Sequence, residues 1–317
     1  MRQRCAILDD YQNVAGAIAD WSVLDGRVDR TVFNAHIPDK DELKRALRDF
    51  EIIVAMRERT PFDRDLIEAL PNLKLLITTG MANKSIDLAA CKPRVVVCGT
   101  RGVGNPTTGV TFGLMLELTR RIGFENARMK SGQAWQATIG PDLEGLTLGI
   151  IGLGRLGKRV AGVAKAFGMK VVAWSQNLTA EAAAAGGVDY ADKEGLLRQA
   201  DIVTIHLQLG ERSRGLIGKS DLAMMKPTSY LINTSRGPIV DEAALIEALT
   251  NRRIAGAGLD VFATEPLPVS HPFRTLDNVV ISPHLGYVTT QNYARFYADA
   301  VEDIYAFLSG EPVRIIS

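Results

Sequence analysis

The sequence predicts an α/β fold in which helices cover parallel sheets, and three observations support this class. Apolar runs of strand length alternate with helical patterns from end to end, as in successive βαβ units. One of these runs, LGIIGLGRLG at Leu148–Gly157, ends in closely spaced glycines. The alternation restarts at that run, so the 317 residues are predicted to form two doubly wound domains.

The first domain is predicted from strands with a helical pattern between them. In the helix predicted over Asp39–Phe50, Leu43, Ala46 and Leu47 share one face. The candidate strands are Cys5–Leu8, Thr31–Phe33, Ile52–Met56, Leu73–Thr78 and Val95–Cys98.

The glycine turn opens the second domain. Gly152 permits a tight turn out of the strand, Gly154 lets the backbone approach a pyrophosphate, and Gly157 lets the next helix lie close to the sheet. That helix is predicted over Lys158–Phe167, so its first amides would face the phosphates, and the strand Met169–Trp174 follows at once. The pattern favours a dinucleotide site over the alternative, a tight turn without a ligand.

The remaining elements complete the second series. Long helices are predicted at Thr107–Arg121 and at Thr289–Leu308, the latter long enough to return to the first domain. The further candidate strands are Asp201–Leu207, Ser229–Asn233, Ala255–Leu259 and Val279–Ile281. Such sheets, Rossmann-like or flavodoxin-like, bind ligands outside the carboxyl ends of their strands, so the expected site is a cleft between the two domains.

One segment between the domains lacks a regular pattern. It covers Glu125–Gly145 and contains Trp135. Two interpretations stay open, an extended arm that mediates oligomers and an ordinary surface loop.

Composition excludes several classes of protein. A net charge of +1 without a basic block argues against nucleic acid as a main partner. Cys5, Cys91 and Cys98 have neither disulfide nor metal-ligand spacing, which favours a reducing cytoplasm and no metal site. The chain starts without a signal-peptide core, and no later apolar run could cross a bilayer. We therefore expect a cytoplasmic protein that does not act at a membrane.

Three side chains capable of catalysis follow three different strands. Arg236 can bind a carboxylate with its planar fork, and His284 is a natural acid and base near neutral pH. Glu265 beside an imidazole would favour its protonated form. Taken singly, each has a plain alternative: a surface ion pair, a structural histidine and a solvated loop residue. Because parallel strands end at one edge of a sheet, their joint placement favours a catalytic site.

Four segments in order, GLGRLG, NTSRGPIVDEAAL, GLDVFATEPLP and NVVISPHLGY, resemble the signature segments of the D-isomer-specific 2-hydroxyacid dehydrogenases. The resemblance implies hydride transfer between NAD(P)H and a 2-oxoacid/D-2-hydroxyacid pair. It implies that Arg236 holds the substrate, that His284 is the acid and base, and that Glu265 pairs with His284. It further implies an outer domain of residues 1–104 plus 288–317, a dinucleotide-binding domain of residues 105–287, and a homodimer.

The same resemblance implies contacts to the cofactor. His206 either joins them or packs in the core. The implied residues are Arg155 and Leu156 along the pyrophosphate, Leu207, Gln208 and Ser213 near the adenine, and Thr234, Ser235 and Asp260 near the nicotinamide and its ribose.

The choice between NAD and NADP depends on the end of the second cofactor strand. Ser175 and Gln176 stand there, where NAD enzymes usually carry an acid for the ribose hydroxyls. Nothing repels a 2′-phosphate, and no Arg or Lys in this segment attracts one. NAD is favoured over NADP because a dianion without a local cation is the harder group to accommodate.

The substrate loop departs from the family pattern. Gly80 and Met81 are expected to contact the substrate, but the residues after them differ from the usual types, which leaves the identity of the 2-hydroxy acid open. Arg57 and Arg59 either contact a larger or second anionic group or form a solvated basic pair.

Two other functions compete. The first is a nicotinamide-sensing, corepressor-like interaction protein on the same scaffold. The second is a formate dehydrogenase, against which Glu265 counts, since the oxidation of formate has no proton to relay.

Overall fold

The structure is a computed structural model that describes residues 2–316, and it confirms the α/β class. Within those residues the strands are β1 Gln3–Ile7, β2 Val28–Val32, β3 Ile52–Ala55, β4 Leu75–Thr78, β5 Val96–Gly99, β6 Thr147–Ile151, β7 Lys170–Trp174, β8 Asp189–Tyr190, β9 Ile202–Ile205, β10 Tyr230–Asn233, β11 Gly256–Leu259 and β12 Val279–Ile281. The α-helices are α1 Ala15–Ile18, α2 Lys40–Leu47, α3 Arg64–Ala69, α4 Leu88–Cys91, α5 Thr107–Arg120, α6 Ile122–Lys130, α7 Arg155–Ala166, α8 Ala180–Ala185, α9 Lys193–Gln199, α10 Lys219–Met224, α11 Glu242–Thr250 and α12 Thr290–Leu308.

The first compact unit consists of Met1–Gly104 and Thr289–Ser317. Its five strands are parallel in the order β2-β1-β3-β4-β5, which is the flavodoxin-like arrangement. β3 (IIVA) and β4 (LLIT) are buried along their whole length, because helices cover both faces of a parallel sheet. Arg101 and Asp299 form a bidentate ion pair with hydrogen bonds of 2.8 and 3.0 Å. This pair joins the segment after β5 to α12.

The second unit, Asn105–Val288, carries the glycine turn. Its seven parallel strands run in the order β12-β11-β10-β9-β6-β7-β8. Read from β8, this is the Rossmann order 3-2-1-4-5-6 with one further strand at the edge. The order reverses between β6 and β9, and the glycine turn follows β6, so the turn stands at the switch point where such sheets bind ligands.

Two features of the second unit differ from the sequence expectations. β8 was not predicted, because its two residues are both exposed and carry no apolar signal. The segment that starts at Glu125 was expected to be irregular. This expectation is wrong for its first residues, because they belong to α6. No residue of α6 is buried, so its apolar side chains do not form the core-facing stripe that marks a helix in a sequence, and Arg128 and Lys130 in its last turn complement its dipole. Residues 131–145 contain neither helix nor strand.

The chain returns to the first unit at its end. α12 contacts α1 and β4 there, and the segment after it pairs with the edge of β5, where the Ile316 amide donates to the Val97 carbonyl at 2.7 Å. Across residues 2–316, each helix is too short or too polar to span a bilayer.

Candidate active site

The three glycines after β6 have different physical roles. A Cβ on Gly152 would lie 2.6 Å from the His206 carbonyl oxygen, and one on Gly157 would lie 2.1 Å from the Gly152 oxygen. These two glycines are therefore required by packing. A Cβ on Gly154 would meet nothing within 4 Å, so packing does not explain this glycine. Gly154 is exposed and is the N-cap of α7, which leaves room for a pyrophosphate at a helix N-terminus.

Arg236 lies in the turn after β10, and Asn233 shapes this turn. The Asn233 side chain accepts from the Ser235 amide and donates to the Arg236 carbonyl, both at 3.0 Å. A Cβ on Gly237 would lie 2.1 Å from the carbonyl carbon of Phe262. Only glycine lets the turn of Arg236 lie against the backbone that follows β11.

Glu265 and His284 form a carboxylate–imidazole hydrogen bond across two neighbouring turns. Glu265 Oε2 lies 2.7 Å from His284 Nδ1, and its other oxygen accepts from the Phe262 amide at 2.9 Å. Their side chains are 34% and 23% exposed, so the pair stays accessible. A carboxylate that accepts from Nδ1–H leaves Nε2 as the nitrogen that can exchange a proton with a substrate.

Asp260 fixes the turn that carries His284. Its buried carboxylate accepts from the Ser282 hydroxyl at 2.5 Å and from the amides of Leu285 and Gly286 at 2.7 and 2.8 Å. Burial raises the pKa of Asp260, and these hydrogen bonds act in the opposite direction. His284 has a φ of 54°, which is costly for a residue with a side chain, so the clamp holds it in an unfavourable backbone conformation.

Two threonines of α5 support the same region, and sequence reasoning missed both. Thr107 donates to the Gly286 carbonyl at 2.8 Å, and Thr111 shares a hydrogen bond of 3.0 Å with Thr234. The Ser235 hydroxyl donates to the Leu207 carbonyl. The spacing of four residues between Thr107 and Thr111 was the signal that the sequence offered, and it does not reveal the partners of the two hydroxyls.

The residues expected near the adenine include one with a clear structural role. Ser213 is buried, and its hydroxyl donates to the Gln208 carbonyl at 2.7 Å and accepts from the Gly210 amide at 2.9 Å. Ser213 therefore shapes the turn after β9. Leu207 is half-buried, and Gln208 is exposed.

His206 is neutral at physiological pH. Burial lowers the pKa of His206 to about 4, and its Nε2 lies 3.0 Å from the Thr204 hydroxyl. Its Nδ1 is buried without a hydrogen-bond partner in residues 2–316. A buried polar atom of this kind is consistent with a partner from a bound ligand.

In the first unit, Arg57 lies over Gly80. The Arg57 guanidinium donates to the Thr79 carbonyl at 3.1 Å, and a Cβ on Gly80 would lie 1.8 Å from its Nη1. Met81, next in the loop, is 48% exposed. Arg59 donates to the Asp9 carbonyl at 2.6 Å, and both arginines are partly buried.

Two other histidines of the sequence also lie beside carboxylates. His271 Nε2 lies 3.2 Å from Glu242, and His36 Nδ1 lies 3.1 Å from Asp9. His271 belongs to the second unit and offers a matched comparison for His284.

A doubly wound sheet with an open glycine turn at its switch point defines a dinucleotide-dependent protein. A carboxylate–imidazole pair and an arginine, placed after neighbouring strands of that sheet, are groups suited to hydride-transfer chemistry on a carbonyl. The class is that of the NAD(P)-linked oxidoreductases.

Comparison with known proteins narrows the class. Residues 112–286 match the family described as D-isomer specific 2-hydroxyacid dehydrogenase, NAD binding domain. The chain is 38% identical to a glyoxylate reductase of Aeropyrum pernix over 78% of this chain and 77% of that one. It is 35% identical to a hydroxypyruvate reductase of Thermotoga maritima, over 84% and 88% of the two chains.

A solved structure agrees along nearly the whole length. A phosphoglycerate oxidoreductase of Vibrio cholerae O395 superposes with a TM-score of 0.92 at 35% identity, covering 98% of this chain and 100% of the other. The chain belongs to the D-isomer specific 2-hydroxyacid dehydrogenase family, and its activity is NAD(P)-linked oxidoreduction of a 2-oxoacid/2-hydroxyacid pair.

Proposed function

We propose that the enzyme reduces small 2-oxoacids to D-2-hydroxyacids with His284 as the acid and base, Glu265 as its partner and Arg236 as the substrate anchor. The observation that carries the proposal is the 2.7 Å contact between Glu265 and His284 beside the turn of Arg236. Glyoxylate and hydroxypyruvate are the first substrates to test, because two similar proteins are named as their reductases.

The cofactor and the three side chains have separate roles in the proposed reaction. When bound, the nicotinamide supplies or accepts the hydride. His284 gives the proton on Nε2 to the oxygen of the carbonyl that is reduced, and takes it back in oxidation. Glu265 accepts from Nδ1–H and stabilises the protonated ring. The Arg236 guanidinium binds the substrate carboxylate with two parallel hydrogen bonds and also polarises the neighbouring carbonyl.

The cofactor contacts proposed for the chain follow from the same arrangement. Gly154, Arg155 and Leu156 contact the pyrophosphate at the start of α7, where Gly154 leaves open space. The orphaned Nδ1 of His206 is a second group suited to this ligand.

In the first unit, Gly80, Met81 and Arg57 are proposed to contact the substrate. Arg57 lies directly over Gly80, so its guanidinium lies beside the loop that carries Gly80 and Met81. Replacing Arg57 by Met tests this contact, because it keeps the length of the side chain and removes its charge. A KM for the 2-oxoacid equal to that of the wild type would remove Arg57 from the substrate site.

The deciding experiment compares two histidines that both face carboxylates. His284→Ala is expected to lower kcat at least about 10²-fold while cofactor binding is kept. The control His271→Ala removes an imidazole paired with Glu242 in the same unit and is expected to keep kcat. Equal kcat values for the wild type and His284→Ala would exclude His284 from the mechanism.

A second variant tests Arg236 as the substrate anchor, and a panel of 2-oxoacids tests whether the protein is an enzyme. Arg236→Lys is expected to raise KM for the 2-oxoacid, since a point charge cannot replace the planar fork. Wild-type KM in that variant would contradict the assigned role. Cofactor binding without turnover on small, branched, aromatic and dicarboxylic 2-oxoacids would favour the corepressor-like alternative.

We also propose that the protein forms a homodimer through residues 122–145. Exposed apolar side chains are concentrated there: Met129 is 56%, Trp135 71% and Ile139 101% exposed. Patches of this kind mark interaction sites on proteins. Ile139→Asp is expected to convert a dimer to a monomer in sedimentation, whereas Val269→Asp, a control at a 90% exposed position, is not. A monomeric wild type would refute the dimer.

We also propose a cytoplasmic location. Cys5, Cys91 and Cys98 are free and buried, and burial raises the pKa of Cys5 to about 12, so this thiol stays protonated. Free thiols suit a reducing compartment. Cell fractionation tests the proposal, and recovery in an oxidising compartment would overturn it.

A further inference from the structure

The end of β7 faces the adenosine end of the proposed cofactor site. Residues Ser175–Asn177 follow the strand, and the Leu178 amide donates to the Ser175 carbonyl at 3.0 Å, so they form a turn. Ser175 is partly buried, and Gln176 is exposed. The turn carries no carboxylate that would accept from both ribose hydroxyls and repel a 2′-phosphate.

A second turn is tied to this one. Gln176 Nε2 donates to the Arg212 carbonyl at 2.9 Å, although the two residues are 36 positions apart. This bond brings the turn after β9 to the end of β7. The sequence alone indicated no cation here, and the fold supplies one.

The backbone under Arg212 is fixed. The Ser213 hydroxyl bonds to the Gln208 carbonyl and the Gly210 amide, and the Arg214 amide donates to the Gly210 carbonyl at 3.0 Å. The Arg212 side chain is exposed, and within residues 2–316 no hydrogen bond or ion pair occupies its guanidinium. The backbone of Arg212 is therefore held beside Gln176, and its exposed side chain extends from a fixed turn.

The charge of this turn favours an anion. GERSRG, residues 210–215, contains two arginines and one glutamate, Glu211. A guanidinium matches the geometry of a phosphate and stays charged at all relevant pH values. Hydroxyl and amide groups from the turn after β7 supply neutral hydrogen-bond donors at the same place.

We propose that Ser175, Gln176 and Arg212 form a subsite for a phosphate on the adenosine 2′-oxygen, so that the enzyme prefers NADP(H) to NAD(H). This inference rests on the proposed cofactor site at the glycine turn. It replaces the preference for NAD that follows from the sequence, because the missing local cation is present in space.

The test measures binding, independently of turnover. NADPH and NADH are titrated into the full chain by fluorescence, and adenosine 2′,5′-bisphosphate and adenosine 5′-monophosphate by calorimetry. In each pair, the compound with the 2′-phosphate is expected to bind at least about tenfold more tightly. A factor of this size corresponds to the free energy of one charge-assisted hydrogen bond. Added salt should weaken that compound more than its partner.

Three variants locate the effect. Arg212→Ala is expected to lower the affinity for NADPH about tenfold and to leave the affinity for NADH unchanged. Ser175→Asp restores an acid at the end of β7 and is expected to reverse the preference. Arg2→Ala, which removes an exposed arginine of the first unit, is the control for loss of one positive charge and should change neither affinity.

The outcomes separate the two proposals. NADH binding as tight as NADPH binding in an active wild type overturns the 2′-phosphate subsite alone, and so does an equal loss of both affinities in Arg212→Ala. Binding of neither cofactor to the wild type would overturn the cofactor site itself, on which the subsite depends.

Discussion

Replacing Asp260 by Asn should uncouple catalysis from cofactor binding. The carboxylate accepts one hydroxyl and two backbone amides around His284, at 2.5 to 2.8 Å. An Asn side chain keeps only one acceptor oxygen and turns an NH₂ group toward the remaining donors. At least one buried N–H is then left without an acceptor.

The structure sets the size of the effect. An unpaired buried donor costs about 1–3 kcal/mol, and weakening the other charge-assisted bonds adds about 1 kcal/mol. We therefore expect the free energy of unfolding to fall by about 2–4 kcal/mol, which lowers Tm by roughly 4–16 °C for a unit of this size.

The catalytic effect follows from the backbone of His284. Its φ of 54° is held against a strain of about 1–3 kcal/mol, so a weakened clamp lets the turn relax. A displacement of about 1 Å at a catalytic group can cost about 10²-fold. We expect kcat to fall by about that factor at a temperature where the variant is fully folded. The cofactor Kd should stay unchanged, because Asp260 is fully buried and both of its oxygens are bonded within the turn, so its side chain acts on the turn and not on the cofactor.

Steady-state kinetics, cofactor titration and thermal unfolding test this on one preparation. The control is Asp241→Asn at the N-cap of α11, where the side chain accepts only the Ala244 amide at 3.0 Å. Because Asn caps a helix about as well as Asp, this control should leave both the stability and kcat close to the wild-type values. A folded Asp260→Asn variant with wild-type kcat would refute the idea that Asp260 positions His284.

Two further predictions concern other parts of the chain. Gly154→Ala should keep the wild-type Tm, since its Cβ meets only open space, and should weaken cofactor binding. Gly157→Ala should lower Tm, because its Cβ would lie 2.1 Å from the Gly152 oxygen. Equal losses of Tm in thermal melts of the two variants would contradict these different roles. Burial raises the pKa of Asp303 from 3.8 to about 7. Between pH 4 and 7 the folded state therefore binds more protons than the unfolded state, and stability falls as the pH rises. Asp303→Asn should remove that fall in urea unfolding at pH 5 and 8, and an unchanged pH slope would refute the assignment.

The fold followed closely from the sequence. The predicted strands Ile52–Met56 and Ser229–Asn233 correspond to β3 and β10 to within one residue at either end. Buried parallel strands are continuously apolar, and this makes them visible without tertiary information. The exposed elements β8 and α6 escaped prediction because they carry no apolar pattern.

The candidate site was predicted in part. Arg236, Glu265 and His284 stood out because each follows a different strand, and the structure brings Glu265 and His284 together. Ser213 illustrates the opposite case, since its hydroxyl is used within its own turn. A motif marks a position, but it does not say which partner the side chain finds.

The sequence by itself determined the two sheets, the glycine turn and the residue types at the strand ends, because hydrophobic periodicity and glycine spacing are local properties of the chain. Only the tertiary structure decided that Asp260 clamps the turn of His284 and that Gln176 holds Arg212 at the end of β7. Each of these contacts joins loops from different crossovers. Their geometry depends on how parallel strands align their carboxyl ends, which no local pattern encodes.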